Sequence, residues 1–380
     1  MKHIDVDLKR CTGCAACVQV CPTHAIEFQE DSYGFFYPHV NEQLCVGCGK
    51  CLTSCQLLSQ KSNNEIHNAF AVQNRDAEIL KDSTSGGVFS GIASCIFKHN
   101  GVVYGCVFDE HCKAVYKRAD CFQSIAPMRG SKYVWADASS VYPQIKHDLE
   151  NGIIVLFTGI PCQVHGLLLY LGKKYSNLYT LDFLCGGAPS PKVFEHYIQS
   201  IASEQDRDNL NFRFRDKHYG VGYCISYNCG GKKTYKRPEF SAYFYLFQEK
   251  YIQRNSCYQC QYRGIHRYSD FTMGDYWGIE QVFKDMDCPA GVSFIITNTE
   301  KGDTFLHELP LYCEMRNSCV ENIARKNIIR CDDSVKMILP PNNRDKFFTS
   351  LNKYGWHYAA LKYTMTFKRV KKMIFRLLNH

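Results

Sequence analysis

The chain has no apolar run near the ~20 residues that a membrane-spanning helix needs; the candidates Ile153–Phe157 and Leu167–Leu171 are far too short. Its opening, Met-Lys-His-Ile-Asp-Val-Asp, lacks the apolar stretch of a signal peptide. Neither G-x-G-x-x-G nor G-x-x-x-x-G-K-[ST] occurs, so any nucleotide cofactor is held without these glycine fingerprints. Solenoid repeats and low-complexity tracts are absent too. Acidic residues stop at Asp345, and the eight Lys and Arg beyond it account for the whole net charge of +8. The preceding 345 residues are neutral, which argues against a nucleic-acid-binding body. These absences place the expected location in the cytoplasm, or at most at the periphery of a membrane.

Cysteine is abundant: 22 in 380 residues. Eight form two runs, Cys11-x2-Cys14-x2-Cys17-x3-Cys21-Pro22 and Cys45-x2-Cys48-x2-Cys51-x3-Cys55. This is the bacterial two-cluster ferredoxin pattern, in which the fourth cysteine of each run ligates the other cluster. The expected sets are Cys11, Cys14, Cys17 and Cys55 on one [4Fe–4S] cluster, and Cys45, Cys48, Cys51 and Cys21 on the other. Three thiolates two residues apart wrap one side of a cubane, and a single tight loop cannot supply the fourth. Structural zinc comes instead as paired C-x2–4-C units, and a disulfide scaffold conflicts with a need for thiolates in a reducing compartment.

The length suggests two or three domains. Residues 1–60 read as an α+β ferredoxin-like domain, with a β-hairpin around Asp31-Ser-Tyr-Gly34. A polar stretch, 59–68, reads as a linker. Strands at 69–73, 102–108, 152–158 and 177–183 alternate with helical patterns at 83–97 and 164–171, which predicts an α/β body with a mixed or mostly parallel sheet. A hairpin broken by Gly230-Gly231 and a strand at 292–297 follow. The body divides into 67–150 and 151–310, and 311–380 forms an extension ending in a helical tail. Tyr363, Phe367, Val370, Ile374 and Leu377 fall on one face of that tail, with Lys368, Arg369, Lys371, Lys372 and Arg376 around the rest. Such a helix suits an anionic membrane or an acidic partner, and equally suits packing on its own domain.

Cys162 and Cys185 lie in Gly/Pro-rich loops at the ends of predicted strands, where open α/β sheets bind ligands. Cys257-x2-Cys260 alone reads as a redox disulfide, half a zinc site or two cluster ligands; with Cys162 and Cys185 it makes four thiolates, enough for a third cubane, and buried inert thiols are the plainer reading. The other ten cysteines have no ligand spacing and read as structural. Ser83-Thr-Ser85-Gly86-Gly87 precedes a helix and offers free N–H groups to a phosphate or a flavin edge, or else a plain N-cap. Lys132 adds a cation nearby, or sits on the surface. Asp275, between Gly274 and Tyr276-Trp277-Gly278, suits a planar ligand, while Trp277 also suits a core. His165, His196 and His218 have no partner at a diagnostic spacing, and no catalytic residue is assigned.

In order and spacing, Ser83–Ser90, Arg129-Gly-Ser-Lys132-Tyr133, Gly159-Ile-Pro-Cys162-Gln163, Phe183-Leu-Cys185 and Cys257-x2-Cys260 leading into Gly274–Gly278 resemble the coenzyme F-420 hydrogenase/dehydrogenase beta-subunit family. The resemblance covers about residues 1–300. It implies FAD in the α/β body, contacted by the Ser83–Gly87 loop and Lys132, beside a third [4Fe–4S] cluster on Cys162, Cys185, Cys257 and Cys260. It also implies an oxidoreductase passing electrons from a ferredoxin-type donor, through the clusters and FAD, to a small organic substrate, including one of a surface-polysaccharide pathway. The alternatives are an electron-transfer subunit whose partner protein holds the catalytic centre, and coenzyme F-420-dependent hydride transfer.

Overall fold

The computed structural model describes residues 3–5, 7–60, 64, 68–286, 288–324, 326–327 and 338–378. Cys331 and most of the 59–68 linker's centre lie outside them. The expected first hairpin is present: β1 (Ile26–Glu30) pairs antiparallel with β2 (Phe36–Val40).

The body is built on eight strands: β3 (Ala69–Asn74), β4 (Val102–Phe108), β5 (Ala114–Ala119), β6 (Val155–Thr158), β7 (Leu178–Phe183), β10 (Phe271–Asp275), β11 (Ser293–Thr297) and β12 (Cys313–Ser318). Between β7 and β10 a separate hairpin, β8 (Ile225–Cys229) and β9 (Lys232–Lys236), turns at the two glycines. The sheet runs β12-β3-β11-β10-β7-β6-β4-β5. Its centre, β4-β6-β7-β10, is parallel, and the outer pairings are antiparallel. The sheet is therefore mixed.

Alternation along the strands buries both faces. Val103 and Leu156 pack with Ile92 and Ile96 of the Val88–Lys98 helix, while Val102, Tyr104, Val155 and Phe157 pack with Ile145, Val164 and Leu167 on the other side. The Pro161–Leu171 helix links β6 to β7 as a parallel crossover. Its start, and the segment after β7, thus lie at the carboxyl ends of central strands.

The 311–380 segment is part of this architecture. Its β12 is the sheet edge beside β3. The Arg344–Thr364 helix supplies Phe347, Phe348, Leu351, Trp356, Ala359 and Tyr363 to an aromatic core shared with Phe194, Phe212 and Tyr243. Ferredoxin hairpin and body also pack closely. Tyr33 lies 4.3 Å from Phe348 between ring centroids, Phe36 stacks on Trp135 at 5.8 Å, and Ser190 Oγ donates to the Tyr33 carbonyl at 2.6 Å.

Candidate functional site

Cys11, Cys14, Cys17 and Cys55 line one cavity together with Gly13, Gln56 and Leu57. These are the four thiols that the swapped-ligand rule puts on one cluster. The turns that bring them round use left-handed backbone at Gly13 (φ 70°) and Ala15 (φ 57°), repeated at Gly47 (φ 66°) and Gly49 (φ 74°) in the second run. Cys51 is buried, Cys21 and Cys45 are half-buried, and Cys48 is exposed. Cys17, Cys51 and Cys55 share a small apolar core with Ile4 and Ile26, and Cys21 packs against it. The Ala25 N–H donates to Cys21 Sγ at 3.3 Å. Burial raises the Cys21 thiol pKa, but amide and hydroxyl donors led by Thr23 outweigh it and leave the thiol below its ordinary value.

A second cavity, about 760 Å³ with its open mouth included, is lined by Cys162, Cys185, Cys257 and Cys260. The structure thus brings together four thiols separated by up to 98 positions in sequence. The Gly187 N–H donates to Cys185 Sγ at 3.4 Å and the Ala188 N–H to Cys257 Sγ at 3.3 Å. Burial pushes the Cys185 thiol up to about 12 and the Cys257 thiol up to about 11, and holds Cys162 well above its ordinary value. Such thiols are inert as nucleophiles; cluster iron would supply the positive charge that makes them thiolates. Among the described residues no three Cys, His, Asp or Glu side chains converge as the ligands of a single ion do.

The two cavities share a wall of Thr12 and Leu57. Gln56, next to Cys55, joins their frames: its amide donates to the Cys162 carbonyl, and its Oε1 accepts from Thr12 Oγ1 (3.0 Å) and the Tyr262 hydroxyl (2.9 Å). Gly166, one turn after Cys162, lets the helix meet the first cysteine loop; a Cβ there would lie 2.6 Å from Cys14 Cβ. Arg254, three residues before Cys257, is 1% exposed and spans both sides. Its Nε donates to the Cys11 carbonyl at 2.8 Å and its Nη2 to the Phe36 carbonyl at 2.6 Å, and it faces the Tyr37 ring at 4.2 Å. Its buried Nη1 has no hydrogen-bond partner among the described residues. A spaced sequence motif does not show such a bridge, because Gln56, Gly166 and Arg254 meet only through the docking of the two domains.

The expected flavin contacts lie in one region, with most of their polar atoms already engaged. Ser83 Oγ donates to the Ile79 carbonyl (2.7 Å) and Ser85 Oγ to the Val292 carbonyl (2.9 Å). Gly86 is pressed on the sheet, where a Cβ would lie 2.3 Å from the Val72 carbonyl oxygen. Gly87 is the N-cap of Val88–Lys98, without a side-chain cap. Lys132 Nζ donates to the Pro127 (2.7 Å), Arg129 (3.1 Å) and Gly130 (3.2 Å) carbonyls, and burial lowers its ammonium to about 8. Asp275 pairs with the buried Arg215 at 2.5 Å. The Ser83 and Gly86 N–H groups are engaged as well, by the Leu80 carbonyl (3.3 Å) and Ser293 Oγ (2.9 Å). Beside the loop stand cations from one segment, each already partnered: Arg213 with Asp82 at 2.5 Å, Lys217 with the Leu80 (2.6 Å), Ser85 (2.9 Å) and Ala290 (2.6 Å) carbonyls, and Arg215, paired with Asp275, over Tyr223 (5.1 Å) and Trp277 (5.7 Å). The sequence reading missed this segment; the alternation Arg213-Phe-Arg215-Asp-Lys217 was the available signal.

Of the three histidines, His165 alone meets hydroxyls among the described residues: Ser59 Oγ lies 3.4 Å from its Nε2 and the Tyr262 hydroxyl 2.8 Å from its Nδ1. His165 stacks on Tyr268 at 3.5 Å and is held neutral by burial, its pKa lowered to about 4. His218 stacks on Tyr235 at 3.8 Å, and burial lowers His196. Of the remaining cysteines, Cys95, Cys112, Cys224 and Cys313 are buried, Cys106 and Cys229 half-buried, and Cys121 and Cys319 exposed.

Residues 10–57 match the family described as 4Fe-4S dicluster domain, and residues 154–315 match the family described as the C terminus of the coenzyme F420 hydrogenase/dehydrogenase beta subunit. A curated relative, the coenzyme F420-dependent sulfite reductase of Methanocaldococcus jannaschii, is 39% identical over 371 residues, covering 92% of this chain and 54% of the relative. A ferredoxin of the same organism is 37% identical over 54 residues, 14% of this chain and 29% of the relative. The chain thus spans about half the length of the first and under a third of the second. A solved chain from the F420-reducing [NiFe] hydrogenase complex of Methanosarcina barkeri superposes with a TM-score of 0.46 at 16% identity, over 68% of this chain and 85% of that one.

Proposed function

The chain carries a 4Fe-4S dicluster domain followed by the C-terminal domain of coenzyme F420 hydrogenase/dehydrogenase beta subunits, and from that footing we propose that it is an iron–sulfur flavoprotein oxidoreductase. Its task is to carry electrons from a ferredoxin-type donor or partner subunit to a small organic acceptor, with three [4Fe–4S] clusters and FAD. One observation carries the reading: the cavity lined by Cys162, Cys185, Cys257 and Cys260 shares a wall with the cavity of the first ferredoxin set. Four half-buried thiols gathered at that place support a third cluster over inert packing thiols.

The residues divide the work. The exposed Cys48 marks the side of the ferredoxin domain nearest solvent, suited to a docking donor. Gln56 and Gly166 fix the spacing between the first set and the third. The positive field of the Arg213–Lys217 segment beside the Ser83–Gly87 loop favours a flavin's phosphates there, with the exposed Tyr223 and Trp277 nearest its ring. When bound, a flavin takes electrons singly and delivers them in pairs, which joins cluster chemistry to two-electron reduction.

The name of the 39% identical relative favours a second reading, with coenzyme F420 as the hydride partner, and the 54% span favours a chain that works with further domains or subunits. An anaerobic preparation tests these readings. FAD released on denaturation, and a reduced flavin reoxidised by a small organic acceptor without a partner, is the expected result. Reoxidation by F420 alone selects the second reading, persistent failure beside a co-purifying protein selects the subunit role, and absence of flavin refutes the flavoprotein reading.

A further inference from the structure

The last two helices expose apolar side chains on faces that their own packing leaves unused. In the second half of Arg344–Thr364, beyond the break at Gly355 (φ 77°), Trp356, Ala359, Ala360 and Tyr363 enter the aromatic core. That inner face is complete. On the outer face Tyr358 is 45%, Leu361 65% and Met365 48% exposed, and Tyr354 just before the break is 55% exposed. The Phe367–Leu378 helix is held from one side: Arg369 Nε donates to the Glu239 carbonyl at 2.9 Å, and Lys372 and Arg376 approach the Glu239 carboxylate at 3.4 and 3.5 Å. Its Ile374 and Leu377 point away, 51% and 66% exposed.

Beyond Asp345 the two helices themselves carry charge of one sign only, since no Asp or Glu follows it, and Glu239 meets Lys372 and Arg376 on the packed side. Lys353 lies over the Tyr354 ring at 5.1 Å and Lys362 over the Tyr358 ring at 5.3 Å, so ammonium groups flank the exposed aromatics. Lys371, three residues before Ile374, is exposed. Among the described residues no helix is long and apolar enough to cross a membrane.

We propose that this C-terminal surface docks on an anionic phospholipid bilayer, with Tyr354, Tyr358, Leu361, Met365, Ile374 and Leu377 at headgroup depth and the flanking lysines on lipid phosphates. Protein–protein interface cores are depleted in lysine, whereas lysine and tyrosine beside exposed aliphatics are the anchors of an interfacial helix. The charge complementarity is to a surface of uniform negative sign. Docking there would hold the reductase next to a lipid-embedded or membrane-bound electron partner or substrate. The inference does not depend on the third cluster or on the flavin.

The test uses the full anaerobic chain with two vesicle types, phosphatidylcholine alone and phosphatidylcholine with phosphatidylglycerol, in a sedimentation assay. Binding to the anionic vesicles only, weakened by added salt, is expected. L361E/L377E and, separately, K362E/K371E should each weaken it about tenfold or more while iron content and circular dichroism stay unchanged. Absence of vesicle binding overturns the proposal. So does binding unmoved by both double variants, or an exposed face found covered by a second copy, seen as a dimer that L361E/L377E dissociates.

Discussion

Replacing Arg254 by Gln removes a positive charge from between the first and third thiol sets and leaves a side chain that can still donate to the Cys11 carbonyl. Arg254 is fully buried, bonded to carbonyls, and lines the cavity of the third thiol set while its Nε sits 2.8 Å from the Cys11 carbonyl oxygen. A cluster gains negative charge on reduction, so a fixed cation stabilises the reduced state and raises the potential. With roughly 7 Å between charges and an effective dielectric constant near 20, the interaction is about 2 kcal/mol. For a one-electron couple, at 59 mV per tenfold, that is roughly 100 mV. R254Q should therefore lower the potentials of the first and third clusters by up to that amount and shift the second less. Redox titration followed by electron paramagnetic resonance reads this, with iron content as the control for folding. R254K, which keeps the charge and loses the fork, should restore most of the shift. Unchanged potentials in R254Q at full iron content would refute the electrostatic reasoning.

Gly166→Leu drives a side chain into Cys14, since even a Cβ would lie 2.6 Å from that residue's Cβ; loss of iron from the first cluster is expected, seen by iron analysis, and full occupancy would contradict the docking described. His165, lowered to about 4 in the fold against about 6.5 unfolded, is protonated in the unfolded chain first. Stability should therefore be intact above pH 6.5 and fall by about 3 kcal/mol as the pH drops toward 4; urea unfolding should show a shallower pH dependence in His165→Asn. Asp275→Asn strands the buried Arg215 and should cost about 3–5 kcal/mol in the same assay. Released flavin should fall with it if that pair frames the flavin site.

The dicluster domain was legible because its pattern is local: eight cysteines spaced between Cys11 and Cys55 encode it. The α/β body was legible where strands are buried on both faces, as at Val155–Thr158 and Leu178–Phe183. It was less so at the edges. Ala114–Ala119 carries Lys117 and Arg118, and Cys313–Ser318 carries Glu314 and Arg316, polar patterns that reach strand form through pairing with β4 and β3. For the same reason 311–380 reads as an appendage although it closes the sheet and fills an aromatic core. The third thiol set was traceable only as cysteines at strand ends, and the Arg254 bridge not at all, since its partners lie 218 and 243 residues away.

Iron per chain tests the central claim most directly. Anaerobically reconstituted protein should hold about twelve irons, and Cys257→Ala about eight, with the two ferredoxin clusters kept. About eight irons in both would show that Cys162, Cys185, Cys257 and Cys260 hold no cluster, and would contradict the account.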